Sequence, residues 1–380
     1  MSRPSGEFRE RTYRAIKPKF YVLDTASLFP IDDNRLGVRV ITQVDSSRTV
    51  ATPAEIHLSK DGGNTYEAVA LSRSHGNTGY MYATDVDVEG VASTRLAHHG
   101  TGQIFHKSLK VADGAILAEG EDNCSVMRVK WHKEYAPQST TESGLHNGAN
   151  LLFVDGEIMQ FRTTAKVAPF GENASINGYK HYNLLRGRRG TENKIIDVRG
   201  GTITVELNER RSVFVPLNYS DIGRTIYFKC ITKGMTLAES TIVSFVFNGE
   251  SLMPFAPSNV TVMRNASEDC VISWNRRSRS IVRLMGVKHL PYGEDTDNYE
   301  IDIMSPTGSP RTVLRTIKVS GATTATYTAS QQTADGLTLG NAVFLRVYQM
   351  SNAVGRGQTN TVTAQASSTP NWVSPTTYTT

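Results

Sequence analysis

Residues 150–161 read Asn150-Leu-Leu-Phe-Val-Asp155-Gly156-Glu-Ile-Met-Gln-Phe161, two β-rich runs separated by Asp155-Gly156. Both turn residues accept the positive φ that a tight type I′ turn requires, so the spacing predicts an antiparallel hairpin. The centre of the chain is therefore expected to be antiparallel sheet.

Further along, Tyr179-Lys-His-Tyr-Asn leads into Leu184-Leu185-Arg186-Gly187-Arg188-Arg189-Gly190-Thr191-Glu192. Arginines and glycines packed this closely cannot form a buried strand. Glycines let the backbone turn sharply or approach a neighbour, while guanidinium forks project from a loop held by Leu184 and Leu185. The segment reads as a docking loop.

A hairpin carrying Gly156-Glu157-x-x-Gln160-Phe161, followed by a strand ending in that nine-residue segment, resembles the C-terminal half of phage tail hub proteins. These are baseplate or tail-tip components of long-tailed phages and gene transfer agents. The resemblance spans residues 13–366 and is densest at 150–192 and 254–283. It implies a virion protein of the tail tip, assembled in the host cytoplasm, that closes or extends the tail tube and supports host attachment and genome delivery. It also implies a trimer with other hub, tube and tape-measure proteins as partners, and DNA passage without specific binding. In the larger hub proteins a long region stands upstream of the point where this chain has Met1. A separate chain supplying that region would be a further partner.

The 380 residues suggest two or three domains with sizeable cores. Thirty-one glycines and abundant threonine and serine point to a mostly β chain. The first eleven residues are charged and lack the apolar core of a secretory signal. No stretch approaches the roughly 18 consecutive apolar residues of a spanning helix. The chain is thus expected to be made in a cytosol and to stay soluble there. Net charge +5 is mild and dispersed, which suits an acidic partner or passing nucleic acid without naming either. Cys124, Cys230 and Cys270 are far apart and odd in number, so they read as buried reduced thiols.

Five segments are expected: an extended 1–30, a β-rich domain 31–148, a β-domain 149–252 holding the arginine loop, a fibronectin type III-like domain 253–366 and a flexible tail 367–380. Within the second, Ser59-x-Asp61-x-Gly63-x-Thr65-Tyr66 resembles the Asp box of sialidases and other β-propellers. There the acid satisfies turn amides and the aromatic packs beneath. A single copy at this point reads as a structural hairpin. His98, His99 and His106 lie around Gly100-Thr-Gly102, which predicts a flexible loop and not a metal site.

Met253-Pro254-Phe-Ala-Pro257 resembles the opening of a fibronectin type III module. Strands are expected at 270–274, 298–303, 325–329, 343–348 and 360–364, with Trp274 as core anchor. About 110 residues with roughly seven strands suits such a sandwich. After Trp274 come Arg276, Arg277 and Arg279, with Arg283 beyond, a second basic cluster matching one after the same strand in the hub proteins. Ser367 to Thr380 is low in complexity and polar, and Trp372 and Tyr378 within it hint at docking.

The overall expectation is an all-β protein: antiparallel sandwich or barrel-like hub domains followed by a fibronectin-like sandwich. Arg186, Arg188, Arg189, Arg276, Arg277, Arg279 and Trp372 are the candidate subunit contacts, with bidentate arginine–carboxylate pairs fixing register between copies. There is no nucleophile elbow, phosphate loop, His-Glu-x-x-His pattern or dinucleotide fingerprint, so neither an enzyme nor a cofactor is expected. An adhesive module binding a receptor or carbohydrate through aromatic platforms is the alternative.

Overall fold

The computed structural model describes residues 17–43, 53–81, 121–122, 127–132, 135–166, 178–194, 201–279, 293–364 and 371–372. His98, His99, His106, Cys124, Arg283 and Tyr378 lie outside the described residues. Among the described residues the fold is all-β and the strand pairings are antiparallel, with short helical turns between strands.

Its first strands are β1 (Lys19–Leu23), β2 (Gly37–Gln43), β3 (Ala54–Ser59) and β4 (Glu67–Ser72). Then follow β5 (Thr78–Met81), β6 (Glu121–Asp122), β7 (Met127–Trp131), β8 (Leu151–Val154), β9 (Glu157–Lys166), β10 (Gly178–Leu185) and β11 (Ile203–Glu206). Next come β12 (Val213–Pro216), β13 (Thr225–Thr232) and β14 (Val243–Val246).

Two of the resulting sheets, β1-β2-β12 and β14-β13-β3-β4, pack on a shared core of Val38, Val40, Ile56, Val215, Ile226 and Phe228. The inward positions alternate along β13, as a strand with one wet face demands. Both sheets join strands from the two ends of this region, and β5 to β11 are inserted between β4 and β12.

The inserted strands form a closed six-stranded barrel in the order β10-β7-β5-β11-β8-β9, with β9 pairing back to β10 and β6 extending β10 beyond β7. Closure removes the open edges that an isolated sheet would expose. Side chains fill the interior, among them Val129, Trp131, Val154, Met159 and Phe161. His181 is fully buried there, with Trp131 Nε1 donating to its Nε2 at 3.2 Å, and burial drives its pKa down to about 3.

The boundary expected at 148/149 needs correction, because it cuts through this barrel. β5 and β7 pair with β11 and β10 from the far side of that point. The β5–β11 pairing spans over a hundred residues and the β7–β10 pairing about fifty, and neither leaves a local signal. By contrast the hairpin at Asp155-Gly156 is present as expected, with φ of 49° and 88° at the two turn residues.

The C-terminal unit contains β15 (Ser258–Arg264), β16 (Cys270–Asn275), β17 (Asn298–Met304), β18 (Val313–Ser320), β19 (Thr324–Tyr327), β20 (Val343–Ser351), β21 (Gly355–Ala364) and β22 (Asn371–Trp372). Sheets β19-β16-β15-β22 and β18-β17-β20-β21 enclose one core, making a fibronectin type III-like sandwich. Trp274 is 3% exposed and meets Tyr299 edge-on at 5.1 Å, so it is the expected anchor. Strand β18 was not among the expected strands. The tail also differs from expectation, since Asn371 and Trp372 pair with Val262 and Thr261 of β15.

Ser59 to Tyr66 folds as the structural turn expected of it. Asp61 Oδ1 accepts from Ser59 Oγ and from the amides of Asn64 and Thr65, while Thr65 Oγ1 donates to Oδ2 at 2.6 Å. These donors hold the carboxyl well below its usual range, the Thr65 hydroxyl and amide contributing most. Cys230 and Cys270 are buried and unbridged.

Candidate functional site: the arginine loop at the sandwich junction

Strand β10 delivers Arg186 beside the first residues of β9, because Leu185 pairs with Gln160. Glu157, directly after the hairpin turn, carries a carboxylate 1% exposed. It accepts from Arg186 Nε at 2.7 Å, from Arg186 Nη2 at 2.6 Å and from the Gly187 amide at 2.8 Å. A two-point fork with a third donor is the arrangement that keeps a buried carboxylate charged.

The loop then runs along β9. Gly187 takes the left-handed conformation at φ 59°, and Arg188 Nε donates to Gln160 Oε1 at 2.8 Å. Gln160 Nε2 donates in turn to the carbonyls of Leu145 and Ala149, tying in the helical turn α1 (Glu142–His146). Thr191 Oγ1 accepts from the Ile158 amide at 3.0 Å and donates to the Arg188 carbonyl at 2.7 Å. Alternate hydrogen-bonding groups of one strand thus stitch the loop down.

Its outer side faces the sandwich. Gly190 has φ 79°, and a Cβ built there would lie 2.4 Å from Phe255 Cδ1, so only glycine allows the approach. Arg277 Nη2 meets Glu192 Oε1 at 2.7 Å, and its guanidinium stands 5.1 Å from the Phe255 ring centroid. Asn193 Nδ2 donates to Gln358 Oε1 at 2.7 Å. Nearby, Arg279 reaches from the sandwich to Asn34 Oδ1 at 3.1 Å while pairing with Glu294. Burial lifts the Glu294 carboxyl to about 7 against the pull of Arg279.

The narrow crevice between loop and sandwich is lined by Arg189, Thr191, Glu250, Phe255 and Gln358 among others. On its far side Asp24 accepts from the amides of Asn248 and Glu250, and Lys194 lies 3.8 Å from Glu250. The loop is therefore a three-way joint between barrel, first domain and sandwich.

Arg186, expected to reach a neighbouring copy, is instead sealed inside its own chain; its side chain is 9% exposed and its acceptor sits on the adjacent strand. Arg188, Arg277 and Arg279 likewise have partners within the chain. Arg189 is half-buried and Arg276 exposed. Trp372 is placed only by its backbone pairing with Thr261, remote in sequence from the loop. Glu157, Gln160, Phe255 and Gln358 were missed. Of these Glu157 and Gln160 stand in the hairpin motif quoted above, but nothing in it shows that they accept from the arginines.

Among the described residues no group of three or more His, Cys, Asp or Glu could hold a metal ion. Trp131 and Trp274, two of the aromatics an adhesive platform could use, are core residues. What the loop can do chemically is fix the barrel and the sandwich against each other.

Residues 111–205, about a quarter of the chain, match the family described as Rcc01698-like, C-terminal. That span includes β6 to β10 and the whole arginine loop. No curated protein matches the chain. Among solved structures, the FN1–FN3 domains of chicken CNTN1 align at 11% identity over 93% of this chain and 100% of theirs, with a TM-score of 0.20. The selenomethionine-substituted chicken interferon gamma receptor alpha chain aligns at 7% identity over 65% of this chain and 92% of its own, with a TM-score of 0.21. Strand order, and not these superpositions, defines the sandwich.

Proposed function

We propose that this chain is a structural virion protein of a phage-type tail tip or baseplate hub. The observation that carries the reading is the coincidence of three things at the arginine loop. It holds the motif that resembles the tail hub proteins, it falls inside the matched span 111–205, and its side chains brace barrel against sandwich. A part that transmits load through a tube end needs domains that do not swing, and charged forks with fixed register supply that. In this reading the barrel and the first domain sit in the hub, and the sandwich decorates it. The partners are further copies of the chain, in a trimer, together with other hub, tube and tape-measure proteins.

Deleting the gene in a particle-producing strain and counting complete tails by electron microscopy tests this. Tails lacking a tip, or absent, are expected, with rescue by the intact gene. Normal infectious particles from the deletion strain would refute it.

A further inference from the structure

The sheet edges of the sandwich are guarded in different ways. Strand β18 carries Arg315 and Lys318, β21 carries Arg356, and β19 is only 4 residues long. Charge and shortness both discourage an edge from pairing with another chain. Strand β15 has neither device. From Asn259 to Met263 it reads Asn-Val-Thr-Val-Met without a charge, and Met263 is 41% exposed. The charge at its end is engaged elsewhere, since Arg264 Nη1 donates to the Glu268 carbonyl and to Gln332 Oε1, each at 2.9 Å.

A bulge blunts one end of β15. Asn259 sits at φ 48°, and the register against β16 shifts between Ser258 and Thr261. Such an irregularity twists a strand and interrupts its ladder. Beyond it Thr261 and Val262 offer a regular edge, and these are the residues that Trp372 and Asn371 of β22 pair with. The chain thus returns from β21, in the opposite sheet, to cover with its own backbone the edge that carries no guard. Residues 365–370 suffice in length, because packed sheets lie about 10 Å apart and an extended residue spans about 3.3 Å. The cover is slight. Strand β22 is 2 residues long, and Pro370 and Pro375, which bracket it in the sequence, lack the N–H that a longer ladder would use.

We propose that β15 is a strand-acceptor edge whose resident ligand is the C-terminal strand Asn371–Trp372, a detachable strap that a free copy of the same segment can replace. In strand addition the main-chain hydrogen bonds supply affinity, and cross-strand neighbours supply choice of partner. So short a pairing opens readily. Its tether keeps the segment at an effective concentration of about 1 mM, which returns it to the edge.

Residue-resolved hydrogen exchange of the full chain tests the strap. An open edge leaves every second amide of a strand to solvent, so protection of both Thr261 and Val262 is expected in wild type. Prolines at both strap positions break the ladder, so in N371P/W372P one of the two amides should exchange at least about tenfold faster while β20 stays protected. A synthetic peptide of residues 367–380 at about 1 mM should restore that protection, and the same peptide bearing both prolines should not. Rapid exchange at either residue in wild type, or β15 exchange that the variant leaves unchanged, overturns the proposal. So does a peptide that fails to slow exchange in the variant. Should the variant unfold, shown by rapid exchange on β20, a chain ending at Ala366 takes its place in the same comparison.

Discussion

Arg186 and Glu157 form a buried two-point fork, with Nε and Nη2 at 2.7 and 2.6 Å from the two carboxylate oxygens. They are 29 residues apart, and adjacent strands bring them together. Removing either partner leaves the other charge buried and uncompensated, at a cost of about 3–5 kcal/mol. R186A and E157A should each lower the denaturation midpoint strongly, while the double variant loses much less than their sum. Additive losses in a denaturant titration would show that the pair is not coupled.

Gly190 to alanine places a methyl against the Phe255 ring at a positive φ. Overpacking of this kind costs roughly 1–3 kcal/mol, with the backbone strain in addition. The sandwich should also loosen from the barrel, so limited proteolysis near residues 253–257 should quicken. Unchanged cleavage and melting would mean that Phe255 moves aside at no cost.

In the sandwich, Trp274 fills the core beside Tyr299. W274A is expected to cost about 3–5 kcal/mol through the cavity it leaves. Calorimetry of the full chain should show the loss. If the sandwich melts as before, the tryptophan is not the anchor.

The joint should also respond to pH. Burial pushes Glu250 up to about 7, with Lys194 opposing and Asp24 reinforcing the rise, and Asp24 itself is pushed up to about 6 by burial against the amides it accepts from. A folded-state pKa above the usual 4.5 means the fold holds the proton more tightly than the unfolded chain does. That stabilisation is complete below pH 4.5 and is lost as pH rises through about 7. E250Q stays neutral, so it should match wild type near pH 4.5 and exceed it at pH 8 by roughly 1–3 kcal/mol. Parallel stability curves for the two proteins across this window would contradict the assignment.

Several features were legible because their cause is local. Asp155-Gly156 dictates its hairpin, Ser59 to Tyr66 its turn, and the spacing around Trp274 its sandwich. The nested barrel was not legible, since β5 finds β11 more than a hundred residues away. Nor was the purpose of the arginines. Three guanidinium groups beside glycines read as a docking loop reaching a neighbouring copy because the acceptors of Arg186 and Arg188, Glu157 and Gln160, lie on a strand whose alternation looks ordinary. Inward-pointing polar residues become visible only once register is known.

The most direct measurement is density for this chain in purified tailed particles imaged by cryo-electron microscopy. A ring of copies at the tail tip is expected, each with barrel and sandwich held as the Arg186–Glu157 and Arg277–Glu192 pairs hold them here. Complete tails whose tip density cannot accommodate the chain would contradict the structural role.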